Sequence, residues 1–178
     1  YRLVHRLDKE TSGLLLIAKN LNYAKKLSHL FKQKEITKYY LALCEGNPKN
    51  NYSQVKLEIK NKKLKIENTL TNYKLLNKNK GISSILFNPQ TGKTHQLRIV
   101  SKNLGCPIVG DQKYNIQSKY SKEKLMLHAI SLKFEVNTKK FEFISKLPDH
   151  FLSFVKKNNL ITVSYTHLRA HETLTDLV

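Results

Sequence analysis

Three short stretches carry side chains that could act on a substrate if folding brought them together. They are Asp8 in HRLDKETSG, the neighbouring Tyr39 and Tyr40 in TKYYLALCEG, and Arg98 in TGKTHQLRI. A carboxylate can attack or electrostatically support an electron-poor carbon. A guanidinium can hold a carboxylate through two parallel hydrogen bonds, and a tyrosine offers both a ring for stacking and a hydroxyl. Each also has an ordinary explanation. An Asp ahead of Thr-Ser-Gly is commonly a turn or cap residue, tyrosines on an alternating strand divide between core and surface, and an Arg on a short helix is usually a surface charge. Chemistry requires the three to converge.

The elements that must position them can be read from periodicity. The uninterrupted apolar run Leu14 to Ala18 follows a polar stretch and suits a buried strand, with Asp8 in the loop before it. Asn20 suits an N-cap, after which Ala24, Leu27, Leu30 and Phe31 recur at helical spacing to about Gln33. Ile36 to Cys44 alternates and ends at a Gly-Asn-Pro turn, placing Tyr39 and Tyr40 on a strand. Val55 to Ile59, Thr69 to Leu76 and Ser83 to Phe87 read as further short strands, most simply antiparallel hairpins. Thr94 to Leu104 has helical spacing before Gly105 and Pro107 stop it, with His95 and Arg98 about a turn apart. Leu125 to Val136 and Lys140 to Ile144 pair around Asn137, and Asp149 is expected to cap a last helix from His150 to about Lys157. The expected fold is α+β, with a mixed, largely antiparallel central sheet and flanking helices.

Composition narrows the partners. The 178 residues suit one domain. Lys and Arg number 32 against 13 Asp and Glu, a net charge of +19, and only Arg2, Arg6, Arg98 and Arg169 are arginine. Such a charge is either the footprint of a polyanion's partner, most simply nucleic acid and less simply an anionic membrane surface, or a solvated lysine-rich surface, and charge alone does not choose between them. Apolar residues make up 40%, mean hydropathy is −0.47, and no apolar run approaches the roughly 20 residues of a membrane-spanning helix. Cys44 and Cys106 lack metal-ligand spacing and read as free thiols of a reducing, cytoplasmic compartment. From Val163 onward lysine disappears, while His167, Arg169 and His171 appear within a few residues. That stretch resembles translated sequencing-adapter read-through, so residues 163–178 are expected to be a non-native tail and 1–162 the domain. His167 and His171 imitate a metal pair without a third ligand, and no metal site is expected.

The ordered motifs resemble one family. VHRLDKETSGLLLIAK is similar to the segment around the catalytic aspartate of the RluA-like RNA pseudouridine synthases. Lys38, Tyr40, Ala42 and Gly46 match that family's K-x-Y-x-A-x-x-x-G motif. TGKTHQLRI followed by Pro107, Ile108, Gly110, Asp111 and Tyr114 matches a third, and LMLHAISLKF a fourth. The resemblance implies an isomerase that breaks the ribose C1′ to uracil N1 bond, turns the base and rejoins C1′ to C5. It implies no metal, nucleotide or other cofactor. Asp8 would be the nucleophile or stabilising carboxylate. Arg98 would keep it ionised through a bidentate pair, and Tyr40 would stack on the uracil, its hydroxyl near C5. Extruding the base from folded RNA leaves a gap, where Arg6 would act as a wedge or phosphate contact. Lys93, His95 and Gln96 would contact phosphate or loop backbone, with packing inside the protein equally open for Gln96. His5 reads as structural or functional, and His128 as structural first.

The same resemblance implies ribosomal large-subunit RNA, or tRNA, as partner; no membrane partner is expected, and nothing in the sequence requires more than a monomer. The family's catalytic domain ordinarily begins upstream of HRLD, so the amino-terminal part and the first strands of the sheet are expected to be missing. Ile99 and Val100 stand where the family often has Val-His, which removes a helper histidine while keeping Arg98. Two other classes remain open on the residues alone. One is a non-catalytic basic RNA-binding module. The other is a carboxylate hydrolase of nucleotides or sugars, for which Asp111 is the one motif-linked second acid, better explained as a turn residue.

Overall fold

The structure is a computed structural model and describes residues 1–61 and 63–160. His167, His171 and the expected tail lie outside the described residues. In chain order the elements are β1 (Arg2–Leu3), β2 (Ser12–Gly13), β3 (Ile17–Ala18), α1 (Leu21–Gln33), β4 (Thr37–Glu45), β5 (Tyr52–Lys60), β6 (Ile66–Asn79), β7 (Ile82–Pro89), α2 (Gln96–Asn103), β8 (Leu127–Val136), β9 (Lys139–Ile144) and α3 (Asp149–Lys157). The fold is α+β, as expected.

The main sheet runs β2-β8-β4-β7-β6-β5, with β9 also paired to β8. Every pairing in it is antiparallel except β2 with β8. β2 meets β8 at His128 and Ala129 while β9 covers Ser131 to Val136, so the two share the edge of β8 that faces away from β4. β1 and β3 form a separate two-stranded sheet. The β6–β7 turn places Lys80 and Gly81 at φ 48° and 77°, and the β8–β9 turn places Asn137 and Thr138 at 50° and 63°. Two central residues with positive φ match the right-handed twist of the flanking strands.

The strand patterns follow position in the sheet. β7 lies between β4 and β6 and is buried along nearly all its length, whereas β5 at the edge alternates between exposed and more buried positions. Leu41, Leu43, Ile85 and Phe87 of β4 and β7 pack with Leu97 and Val100 of α2, Phe151 and Phe154 of α3, and the buried turn residues Ile108 and Val109. A smaller apolar cluster joins Ala24 and Leu27 of α1 to Ala18 and Val136. Asn20 does cap α1, its Oδ1 accepting the Tyr23 N–H at 3.0 Å. Cys44 and Cys106 are free and buried.

Two expectations are corrected. The run Leu14 to Ala18 is not one buried strand. The chain leaves β8 once the Leu14 N–H has donated to the Ala129 carbonyl, Leu15 and Ile17 are 44% and 46% exposed, and pairing resumes only at β3 against β1. Its apolarity supports two short segments on different partners, a distinction that periodicity cannot make over five residues. Asp149 is not the cap of α3. Pro148 holds that position without a side-chain bond, and Asp149 is the first helical residue, where its negative charge suits the helix dipole.

Candidate active site

Asp8 lies in the loop between β1 and β2, where its carbonyl accepts the Thr11 N–H at 3.0 Å. Two anchors hold this loop. At one end Ser12 Oγ lies 2.8 Å from His128 Nδ1, and a Cβ on Gly13 would run into the Ala129 carbonyl oxygen. Only glycine permits that approach, at a φ of +108°. At the other end His5 Nε2 accepts the Leu16 N–H at 2.8 Å and its ring stacks on Phe31, centroids 4.5 Å apart. Burial, followed by the charge of Lys38, lowers the His5 pKa to about 4, so the ring is neutral and structural.

The loop forms one wall of a cleft of about 590 Å³, within the range of small-ligand sites. Asp8, Tyr40, Arg6, Lys38, Lys93 and Gln96 all line it. Tyr40 comes from the middle of β4, opposite Phe87 of β7 and Ala129 of β8. Burial and then the nearby Asp8 carboxylate push its phenol up to about 12, so it stays protonated near neutral pH. A protonated, half-buried phenol suits stacking and hydrogen-bond donation better than proton acceptance.

Arg98 is not bidentate to Asp8. Its Nε donates to Asp111 Oδ2 and its Nη2 to Asp111 Oδ1, each at 2.7 Å, in a buried ion pair. The Tyr114 ring lies against the guanidinium, 5.2 Å from its centroid, and the Tyr114 hydroxyl lies 3.0 Å from His95 Nδ1. The hydrogen bonds to Asp111 hold the guanidinium above its usual pKa, and Asp8 and Glu10 act on it through space. Arg98 is therefore near Asp8 but committed to Asp111. The physical reason is the turn after α2. Asp111 Oδ1 also accepts the N–H groups of Lys113 and Tyr114 at 3.0 and 2.9 Å, which fixes its carboxylate in front of α2. Burial would raise the Asp111 pKa, but the Arg98 hydrogen bonds, these N–H groups and the guanidinium charge together hold it below the usual range. The expected turn role of Asp111 is thus correct, and its partnership with Arg98 is what sequence reasoning missed.

The remaining site residues separate. Gln96 is buried, and all its polar atoms are engaged. Its Nε2 donates to Leu70 O and Thr71 Oγ1, while its Oε1 accepts from Thr91 Oγ1 and the Lys93 N–H. It braces the 91–94 loop from beneath and is not a free RNA contact. Lys93 pairs with Glu67 at 3.0 Å, so its charge is already met. His95 precedes α2 at φ 56°, and its pKa is lowered, first by burial, against the opposing pull of Asp8. Arg6 is exposed at the cleft. His128 is buried, as a structural residue should be, and burial lowers its pKa to about 4.

Known proteins resemble this chain in both sequence and fold along most of its length. Residues 1–103 match the family described as RNA pseudouridylate synthase. Ribosomal large subunit pseudouridine synthase C of Rickettsia prowazekii is 43% identical over 166 residues, covering 85% of this chain and 55% of that protein. Ribosomal large subunit pseudouridine synthase D of Borreliella burgdorferi is 36% identical over 165 residues, covering 86% and 51%. Human RNA pseudouridylate synthase domain containing 4 superposes with a TM-score of 0.83 at 26% identity, over 92% of this chain and 77% of that one. The chain belongs to the RNA pseudouridylate synthase family. It spans about half the length of the curated relatives it matches. Among the described residues no helix is long and apolar enough to cross a membrane.

Proposed function

We propose that this chain isomerises uridine to pseudouridine in RNA, with ribosomal large-subunit RNA as the substrate class. The observation that carries the reading is that Asp8 and Tyr40, distant in sequence, line one cleft, with the Asp8 carboxylate close enough to act on the Tyr40 phenol. The names of the relatives, which specify the ribosomal large subunit, support the substrate class.

In this reading the target uridine leaves its stack and its base enters the cleft against the Tyr40 ring. The Asp8 carboxylate meets ribose C1′, as nucleophile or as stabilising charge, while the C1′–N1 bond breaks. The base turns and C5 bonds to C1′. The proton on C5 is then lost and one is gained at N1, so atoms and charge balance without an oxidant or metal. Arg98 contributes a fixed positive field near Asp8, its orientation set by Asp111. Arg6 fills or borders the gap left in the RNA. The protein acts as a cytoplasmic monomer.

The test is to incubate the chain and its Asp8→Asn variant with unmodified large-subunit ribosomal RNA, then map carbodiimide-dependent reverse-transcription stops. Stops with Asp8 intact and none with the Asp8→Asn variant are expected. Salt-sensitive RNA binding by both proteins with stops from neither would overturn the catalytic reading, and a cut strand or released base would replace it with hydrolysis.

A further inference from the structure

Lys38 lines the cleft together with Asp8 and Tyr40 but has no part in the reaction as drawn. It lies two residues before Tyr40 on β4, so both side chains leave the same face of the strand. The strand is held there by the Asn88 side-chain amide, whose Nδ2 donates to the Lys38 carbonyl at 3.0 Å. The Lys38 ammonium reaches under the 91–94 loop, 3.9 Å from where a Cβ on Gly92 would stand. It is half-buried, and burial lowers its pKa.

Of the other cations at the cleft, Arg6, Lys32 and Lys34 are exposed to water, and the less exposed cations nearby have carboxylate partners. Arg98 is paired with Asp111 and Lys93 with Glu67. Among the described residues no carboxylate makes an ion pair with Lys38. His5, close enough to feel its charge, has spent Nε2 on the Leu16 N–H. A partly desolvated cation without a counter-ion is costly to hold. Its cost is offset when a ligand supplies the anion, and the missing side chain of Gly92 leaves room for one above it.

We propose that Lys38 Nζ receives a phosphodiester of the bound RNA next to the extruded uridine, with Gly92 as the opening through which that phosphate approaches. This rests on the pseudouridine synthase reading and adds a phosphate subsite to the base and ribose contacts. Arg6 stands at the exposed rim, while Lys38 is the cation on the floor.

The test measures binding apart from turnover. In an Asp8→Asn background, Lys38→Met is expected to weaken affinity for the unmodified ribosomal RNA about tenfold or more, the weight of one hydrogen bond to a charged group. The slope of log affinity against log salt should fall by about 0.7 to 0.9, one phosphate's share. Gly92→Ala sets a methyl at ordinary contact distance from Nζ, so it should fold normally and weaken binding in the same direction. The urea midpoint of Lys38→Met should stay or rise, because an uncompensated ammonium has been removed. An unchanged salt slope overturns the proposal. So does a midpoint that falls along with affinity, which would make Lys38 structural, or a shifted pH profile of turnover at unchanged affinity, which would make it a partner of Asp8. With Asp8 intact, absence of pseudouridine refutes the underlying reading, and the binding comparison still decides Lys38.

Discussion

Replacing Asp111 by asparagine strands the Arg98 guanidinium. Asp111 and Arg98 are 1% and 6% exposed and share two hydrogen bonds of 2.7 Å, so neither charge has water as an alternative partner. The introduced side chain could keep its carbonyl oxygen for the Lys113 and Tyr114 N–H groups, but its amide NH2 would then face Arg98 Nε, donor against donor. Breaking a buried pair from one side costs about 3–5 kcal/mol, whereas removing both charges is often close to neutral. Asp111→Asn is therefore expected to lower stability by about 3–5 kcal/mol, or on the order of 10 °C in melting temperature for a chain of this size. Adding Arg98→Met should restore a large part of that loss. Urea unfolding followed at equilibrium measures it, with unchanged slope as the condition for comparing midpoints. A loss below about 1 kcal/mol, or a double variant no more stable than Asp111→Asn, would refute the view that the pair is desolvated and mutually dependent.

Gly13→Ala should prevent folding or lower the urea midpoint by more than the roughly 1–3 kcal/mol of an ordinary strained position, since its Cβ meets the β8 backbone and φ is +108°; wild-type stability would contradict the β2–β8 packing. Tyr40→Phe should keep RNA affinity, whereas Tyr40→Ala should lose about 1–3 kcal/mol of stacking, read by titration in the Asp8→Asn background. His128 binds its proton less readily in the fold, at about 4, than in the unfolded chain near 6.5. The unfolded state therefore takes up more protons between these values, and stability is full above about 6.5 and lost as pH falls toward 4. Unfolding midpoints across that window should fall less steeply in a His128→Gln variant.

The hairpins were legible because alternation and turn residues are local: Asn137 at the β8–β9 turn and the strand carrying Tyr40 were both placed from a few neighbours. The Asn20 cap was legible for the same reason. What escaped was pairing between distant segments. That Gly13 lies on Ala129 depends on a parallel contact more than a hundred residues away, so the apolar run after it could not be divided between two partners from its pattern. Arg98 stands out as one of four arginines in a lysine-rich chain, but the carboxylate it holds is Asp111 and not Asp8, because the turn after α2 presents Asp111 to it. Gln96 was open between outside and inside, and the buried amides and hydroxyls of the 91–94 loop decided for the inside.

The parallel contact between Ser12–Gly13 and His128–Ala129 also bears on how the protein is made. Synthesis runs from the amino end, so the aspartate-bearing loop leaves the ribosome long before the strand that anchors it. Until residue 129 has emerged and β8 has found β4, the loop lacks one of its two tethers, and the loop-closure entropy of that long-range contact has not been met. The cleft is thus among the last features to be completed. An unfinished chain carries the Asp8 carboxylate but does not hold it in place.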